Sequence, residues 1–367
     1  MAAPETGLAG ELGGGEMEAV KVMEIMEQIR SVSEETRIAA AKEIRRLTKT
    51  SSRHRRQLSA AVEPLVSMLR SRSPDCGEAA ILALVNLAVK DERNKIKIVE
   101  CGALEPLIHF LQGTNSSLQE YATAALLTLS ASLTNKPIIS ASGAIPLLVK
   151  ILRDGNPQAK VDAVMALYNL STIPENLNFF LPLQPIPALI HLLKSCKKSS
   201  RTAEKCTALL ESLVSFEEGR TALTAAEAGV LTIVQVLEEG SLRSKEHAVG
   251  ALLTMCESDQ CKYRELILKE GAIPGLLQLT IQGTRKSRVN ARSLLQLLRS
   301  SCCRRPELET DALDSFVCGI VSNIEGDDQV GKAKKMLAEM VQVSMEQSLR
   351  HLQQRASVRT SDGPSSW

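Results

Sequence analysis

The chain has 367 residues, with 44 Lys and Arg against 42 Asp and Glu, and therefore a net charge of +2. Its 23% charged and 44% hydrophobic residues are typical of a soluble globular chain, and the charge balance gives no general attraction to a polyanion. Aromatic residues make up only 2%, which argues against β-rich folds that depend on them.

The N-terminal residues and the number of cysteines indicate in which cellular compartment the protein is expected. Residues 1–16 are polar and Gly-rich, which predicts a disordered leader, and residues 17–33 predict an N-terminal capping helix. The start of the chain lacks the features of a signal peptide, and no apolar stretch is long enough for a transmembrane helix. The nine cysteines are an odd number and too few for a disulfide scaffold. We therefore expect a cytoplasmic and/or nuclear protein with no membrane insertion.

A Leu-rich block recurs about every 42 residues. We define the anchor of each block as its second aliphatic residue; the anchors are Leu47, Leu87, Leu129, Leu170, Leu213, Met255 and Leu297. The residue three positions before each anchor is aliphatic, and those four and seven positions before it are mostly small. These spacings lie on one face of an α-helix, which a neighbouring unit has to cover. The period therefore predicts an all-α solenoid of about seven repeats.

Each repeat contains two further predicted helices. Four of the second helices have a Gly at their entrance and five carry a Pro near their start, and a shorter amphipathic segment, the first helix, precedes the entrance. We expect the entrance glycines to end the first helix in a left-handed conformation. They are Gly102, Gly143, Gly229 and Gly271.

Three helices with a Gly–Pro joint resemble the armadillo (ARM) repeat. The segments GALEPLIHFL, GAIPLLVKILRDGNPQAKVDAVMALYNLS and GTRKSRVNARSLLQLLR are similar to the ARM arrays of plant U-box ubiquitin ligases. This resemblance implies a right-handed armadillo-repeat α-solenoid over residues 34–305. The stretch before the first repeat is shorter than a U-box and has an amphipathic helical pattern, so the resemblance does not transfer the ligase chemistry. Residues 306–355 predict C-terminal capping helices, and residues 356–367 predict a disordered tail.

In ARM proteins the last helix of each repeat lines a concave groove, and the resemblance places the polar residue before each anchor on that surface. We call these residues the polar ladder: Asn86, Thr128, Asn169, Ser212, Thr254 and Gln296, with Arg46 at its start. An Asn side chain can both donate and accept a hydrogen bond with an extended peptide. Eight residues before four anchors, the same face continues with Tyr121, Asp162, Lys205 and His247.

A solvated polar face is the alternative interpretation of these rows. Replacing Asn86 and Asn169 by Ala is expected to weaken client binding and leave melting unchanged. The array contains none of the Trp residues that nuclear-import receptors use to hold Lys side chains, which disfavours that role.

Three clusters of basic residues stand out in the sequence. They are Arg45, Arg46, Lys49, Arg53, His54, Arg55 and Arg56; Lys194, Lys197, Lys198, Arg201 and Lys205; and Arg285, Lys286, Arg288, Arg292, Arg299, Arg304 and Arg305. Each cluster is compatible with acidic peptides, phosphorylated tails, anionic lipid, nuclear localisation or simple solubility. Stacking aromatics are not interleaved with them, so no nucleic-acid partner is expected.

No catalytic, cofactor or metal-binding motif is found in the sequence: it has no CxxC pair, phosphate-binding loop or nucleophile motif. Three hypotheses follow. The first is a non-catalytic scaffold that binds other proteins, the second a substrate-recognising component of ubiquitination that works with ubiquitin-pathway partners, and the third a hidden enzyme. The first is preferred, with no cofactor.

Overall fold

The computed structural model describes residues 20–299, and these residues form α-helices and short 3-10 helices without a β-strand. Their contacts divide the chain into two compact units: unit 1, Met1–Leu192, and unit 2, Leu193–Trp367. The same helical plan recurs within each unit.

Seven long helices carry the Leu-rich blocks, and we call them the third helices. They are α2 (Glu34–Thr48), α5 (Pro74–Ala88), α8 (Ser116–Leu129), α11 (Pro157–Ser171), α14 (Arg201–Leu213), α17 (Leu242–Ser258) and α20 (Arg285–Arg299). Within unit 1, α2, α5, α8 and α11 pack side by side in that order, and α14, α17 and α20 do so within unit 2.

Two shorter helices precede each third helix from α5 onward. The first helices are α3 (Ser52–Gln57), α6 (Glu92–Glu100), α9 (Asn135–Ala141), α12 (Leu177–Phe180), α15 (Glu217–Ala225) and α18 (Gln260–Lys269). The second helices are α4 (Val62–Met68), α7 (Leu104–Gln112), α10 (Ala144–Asp154), α13 (Ile186–Ser195), α16 (Gly229–Glu239) and α19 (Ile273–Gln282). Residues 20–28 are also helical and form α1. The predicted three-helix unit is therefore present.

Side-chain capping explains where the third helices begin. The residue before each of the first six accepts a hydrogen bond from a backbone N–H of the first turn; these residues are Ser33, Ser73, Asn115, Asn156, Ser200 and Ser241. Thr284 does the same for α20. Such caps satisfy backbone donors that the helix leaves unpaired, so the sequence fixes each start locally.

The entrance glycines agree with the prediction in three of four cases. Gly102, Gly143 and Gly271 have φ of 81–82°, in the left-handed region that favours Gly. The left-handed conformation predicted for Gly229 is wrong, because the preceding residue, Ala228, adopts it instead, with φ 54°. Gly229 lies in the first turn of α16, where an added Cβ would collide with the carbonyl oxygen of Leu223. Its absent side chain permits close packing rather than a left-handed turn.

The residues predicted to face the hydrophobic core are buried in most third helices, and α2 and α20 differ from this prediction. All seven residues three positions before the anchors are buried, and so are the five inner anchors. Leu47 on α2 and Leu297 on α20 are instead half-buried, as are Asn290 and Ser293 on α20. These are the first and last third helices within residues 20–299; α2 packs against α5, and α20 packs against α17.

The predicted terminal segments lie largely outside the described residues. Within the predicted N-terminal cap, α1 buries Ile25, and Ile29 follows it in the core. Residues 1–16, 306–355 and 356–367 lie outside the described range, so those boundaries stay predictions. No single helix in the described range is long and apolar enough to cross a membrane; α15 and α16 pass that length and composition test only as a pair bent by 90°.

Candidate protein-binding surface

The polar ladder of unit 1 forms one continuous row. Asn86, Thr128 and Asn169 are half-buried at the same register of α5, α8 and α11, and these helices pack side by side. The Thr128 hydroxyl donates to the carbonyl of Ala124 in its own helix at 2.9 Å. The structure thus brings together three residues that are about 40 positions apart in the sequence.

The two asparagines of this row bond to the preceding repeat. The Asn86 Nδ2 donates to the Arg45 carbonyl at 2.8 Å, and the Asn169 Nδ2 donates to the Ser130 Oγ at 3.1 Å. These bonds engage at least one of the two amide N–H donors of each asparagine, so fewer donors are left for a partner peptide. On this geometry we expect Ala at both sites to lower the melting temperature, because each substitution removes a bond to the preceding repeat.

An ion-pair cluster lies at the start of the ladder. Arg46 donates twice to the Glu43 carboxylate, at 2.6 and 2.7 Å, and Lys21 from α1 approaches the same carboxylate at 2.9 Å. The hydrogen bond from Arg46 is the main cause that lowers the pKa of Glu43 to about 2. Glu43 is therefore an anion at neutral pH and neutralises much of the positive charge here.

The ladder of unit 2 is more exposed and has no asparagine. Ser212 and Thr254 are half-buried and Gln296 is exposed on α14, α17 and α20, which pack in that order. The Ser212 hydroxyl donates within its own helix, to the Ala208 carbonyl at 3.2 Å. Unit 2 therefore presents hydroxyl and amide groups at this register without the bridging asparagines of unit 1.

Eight residues before the anchors, unit 1 contains a partly buried acid. Asp162 and Tyr121 are half-buried on neighbouring third helices. Burial raises the pKa of Asp162, a hydrogen bond from Gln158 at 3.1 Å lowers it, and the nearby Glu120 charge raises it further. Burial dominates, so the folded protein disfavours the carboxylate form.

At the same register of unit 2, the side chains contact neighbouring carboxylates. Lys205 lies 3.2 Å from Glu204, and the His247 Nδ1 lies 2.6 Å from the Glu211 carboxylate. Lys286 approaches the other oxygen of Glu211 at 3.6 Å, so this carboxylate joins three successive third helices. Side chains at this register therefore contact neighbouring side chains of the protein itself. Their role in client binding stays a prediction.

The basic clusters separate into structural and surface residues. Arg55 is buried, and its guanidinium donates to the carbonyls of Thr48 and Lys49 at 2.9 Å, which caps the end of α2. The Lys198 ammonium donates to the Leu193 carbonyl at 2.7 Å at the end of α13. The exposed Arg285, Arg288, Arg292 and Arg299 lie along α20, whereas Arg304 and Arg305 lie outside the described residues.

A row of buried asparagines, which the sequence analysis missed, fastens consecutive repeats in unit 1. The Nδ2 atoms of Asn94, Asn135 and Asn176 donate to the anchor carbonyls of Leu87, Leu129 and Leu170, at 3.1, 3.3 and 2.8 Å. Each amide also donates to the first helix of the preceding repeat. These asparagines are 41 residues apart in the sequence, and that spacing was the signal available to find them.

A cleft in unit 1 lies apart from both rows. Its volume is about 930 Å³, and its lining includes Arg70, Arg72, Glu105, His109 and Phe110 beside the loops that precede α5 and α8. None of the predicted site residues lines it. It is open to solvent and carries charges of both signs, so we place the candidate surface on the third helices instead.

A metal site needs several His, Cys, Asp or Glu side chains close together. Residues 20–299 contain no group of three or more His, Cys, Asp or Glu placed to hold a metal ion. Cys206 is buried on α14, and burial raises the pKa of its thiol, so it packs as the small hydrophobic residue that the repeat pattern predicts.

Known proteins share this repeat pattern. A family model described as the plant U-box protein ARM repeat region matches residues 21–318. The U-box domain-containing protein 45 of Arabidopsis thaliana is 34% identical over 66% of this chain and 31% of its own length. The U-box domain-containing protein 17 of the same plant is 33% identical over 82% of this chain and 40% of its own length. The chain thus spans less than half the length of these relatives.

Solved structures agree on the fold. The crystal structure of an engineered protein superimposes with a TM-score of 0.65, at 22% sequence identity, over 86% of this chain and 76% of the engineered one. The predicted all-α armadillo-repeat solenoid is confirmed. On the family match and the recurring three-helix unit, the chain belongs to the family of plant U-box protein ARM repeat regions.

Proposed function

We propose that this protein is a non-catalytic scaffold that binds segments of other proteins through the exposed face of its third helices, in the cytoplasm or nucleus. The observation that carries the proposal is the continuous row of hydrogen-bonding side chains on each set of packed third helices, from Asn86 to Asn169 and from Ser212 to Gln296. A partner lying across such a row contacts several repeats at once, which suits an extended segment.

The buried half of the third helices supports the same proposal. Most apolar residues of the third helices are buried between helices, so the exposed face is mainly polar and charged, with Leu242 and Val289 as exposed exceptions. Such a face recognises a partner by hydrogen bonds and charge rather than by a reactive centre. In solenoids each repeat covers the apolar face of the next, so the polar face is the one that stays exposed.

A role in ubiquitination is our second proposal. It is favoured by the family match and by relatives that are named for their U-box domains. On this proposal the array selects substrates, and a partner protein supplies the ligase chemistry. The partners of those relatives are not transferred to this chain, because it spans only part of their length.

Photocrosslinking tests which face binds. Benzoylphenylalanine is placed at Thr128 or Thr254 on the third helices, and at the exposed Glu63 or His191 on the second helices as matched controls. We expect partner proteins from plant extract to crosslink at the third-helix positions. Crosslinks confined to Glu63 and His191 would overturn the proposed surface. Mass spectrometry of the products tests the second proposal, which requires a U-box ligase or a ubiquitin-conjugating enzyme among them.

A further inference from the structure

Unit 2 contains a recurring arginine that the polar ladder does not include. Arg201, Arg243 and Arg285 each lie twelve residues before the anchor of a third helix, at intervals of 42 residues. All three side chains are exposed on the adjacent helices α14, α17 and α20. Among residues 20–299, none of them has an acidic partner within ion-pair distance. We call these three residues the arginine row.

The arginine row is not explained by helix stability. Each arginine lies in the first turn of its helix, where the helix dipole is positive and favours acidic residues. At the same register unit 1 has acidic or neutral residues, namely Glu35, Asp75, Ser117 and Gln158. Three positive side chains repeated against the dipole therefore point to attraction of a negative partner from outside the helices.

The acidic residues one turn after the first two arginines of the row, and one further along α14, bond to other side chains. Glu204 pairs with Lys205 at 3.2 Å, Glu246 accepts a hydrogen bond from Thr284, and Glu211 holds the pairs described above. Within residues 20–299, none of these carboxylates forms an ion pair with the arginine row. α20 strengthens the positive charge, because it has five basic residues and no acidic one.

We propose that the arginine row binds an acidic segment of a partner protein that lies extended across α14, α17 and α20. This inference rests on the proposed function and specifies its partner chemistry. Packed helices lie about 8–10 Å apart, and an extended chain advances about 3.3 Å per residue. The segment therefore carries a negative residue, either Asp, Glu or a phosphorylated residue, at about every third position.

Fluorescence anisotropy with synthetic peptides tests the proposal on the full chain. The probe is a fluorescein-labelled Gly/Ser peptide with Asp at every third position, and the comparison peptide has the same composition with its Asp residues contiguous. We expect tighter binding of the spaced peptide, weakened by added salt. The variant R201Q/R243Q/R285Q should bind it about ten-fold or more weakly, because three exposed ion pairs, each worth a few-fold in affinity, are lost.

The matched control removes equal charge elsewhere. Arg56, Arg72 and Arg93 are exposed in unit 1, and the variant R56Q/R72Q/R93Q should bind the spaced peptide like the unchanged protein. The arginine-row variant should melt no lower than the parent, since it removes charges that oppose the helix dipoles. Equal weakening by both variants, or equal binding of both peptides, would overturn the arginine row as a site.

Two further outcomes separate this inference from the proposed function. If Thr128 and Thr254 still crosslink partners while the spaced peptide binds independently of the arginine row, the scaffold proposal stands and the inference fails. If the peptide requires the arginine row but neither Thr128 nor Thr254 crosslinks a partner, the inference stands and the polar ladder fails as the binding surface. Row-dependent binding of phosphatidylserine vesicles, with no binding of the peptide, would replace the protein partner with a membrane surface.

Discussion

Unit 1 and unit 2 pack their third helices in the same way but use different polar side chains around them. In unit 1, Asn94, Asn135 and Asn176 are buried and fasten each third helix to the next repeat. In unit 2, the half-buried Arg220 donates to the carbonyls of Val214 and Ser215 at the end of α14. The exposed starts of the third helices are acidic or neutral in unit 1 and carry arginine in unit 2.

This difference shows which positions are constrained. Residues three positions before every anchor are buried and aliphatic in both units, because a close-packed interior tolerates little change in shape. Exposed positions of the same helices change charge without disturbing that packing. Partner selectivity is therefore expected to differ between the units while their architecture stays the same.

The largest expected effect concerns Asn94, one of the buried asparagines that connect consecutive repeats in unit 1. Asn94 donates to two carbonyls and accepts from the Ser59 hydroxyl at 2.6 Å, so N94A leaves several buried polar groups without partners. We expect a loss of about 3 kcal/mol in the free energy of unfolding. R220A should cost about 1 kcal/mol, because water can reach the carbonyls that it exposes. Urea denaturation followed by circular dichroism measures both, and equal losses would remove this contrast between the units.

The shared packing predicts a matched effect in the two units. Ala166 in unit 1 and Ala251 in unit 2 are fully buried four residues before their anchors. A166L and A251L should each destabilise the protein by about 2 kcal/mol, because the added atoms force neighbouring helices apart. A39L, at an exposed position of α2, is the control and should have little effect. A large cost in one unit alone would show that the two helix registers differ.

A smaller contrast is expected along the polar ladder. N169A removes the bond to Ser130 in the preceding repeat and should cost about 1 kcal/mol. S212A, at the same register of unit 2, removes only a bond within its own helix and should change stability by less than about 0.5 kcal/mol. Thermal melting of both variants checks this. Unchanged melting of N169A would mean that the amide is free for a partner.

The smallest expected effect is pH-dependent and confined to unit 1. Because burial raises the pKa of Asp162, the folded state binds this proton more readily than the unfolded chain does. The group's contribution to stability therefore falls as pH rises from the unfolded pKa, about 3.9, through the higher folded pKa. D162N should melt slightly higher than the parent at pH 7 and equally at pH 3, where both forms are uncharged. E35Q, at an exposed site, is the control. A destabilised D162N at pH 7 would show that the carboxylate is needed as an acceptor.

Much of the fold was predictable because it depends on local and periodic chemistry. The spacing of aliphatic residues predicts seven buried helical faces, and Gly102, Gly143 and Gly271 mark the entrances to second helices. Ala228 escaped prediction because a left-handed Ala leaves no sequence signal. The partial exposure of Leu47 and Leu297 escaped prediction because a repeat pattern assigns the same burial to every anchor.

The amino-acid sequence by itself determined the repeat, its three helices and the polar register of their outer face, since periodicity and capping act over a few residues. Only the tertiary structure decided which polar side chains face a partner and which serve the fold. Asn86 and Asn169 bond to the preceding repeat, whereas Arg201, Arg243 and Arg285 stay exposed in one row. The reason is physical: a side chain's hydrogen-bond partners come from neighbouring repeats about 40 residues away, and only packing brings those groups within reach.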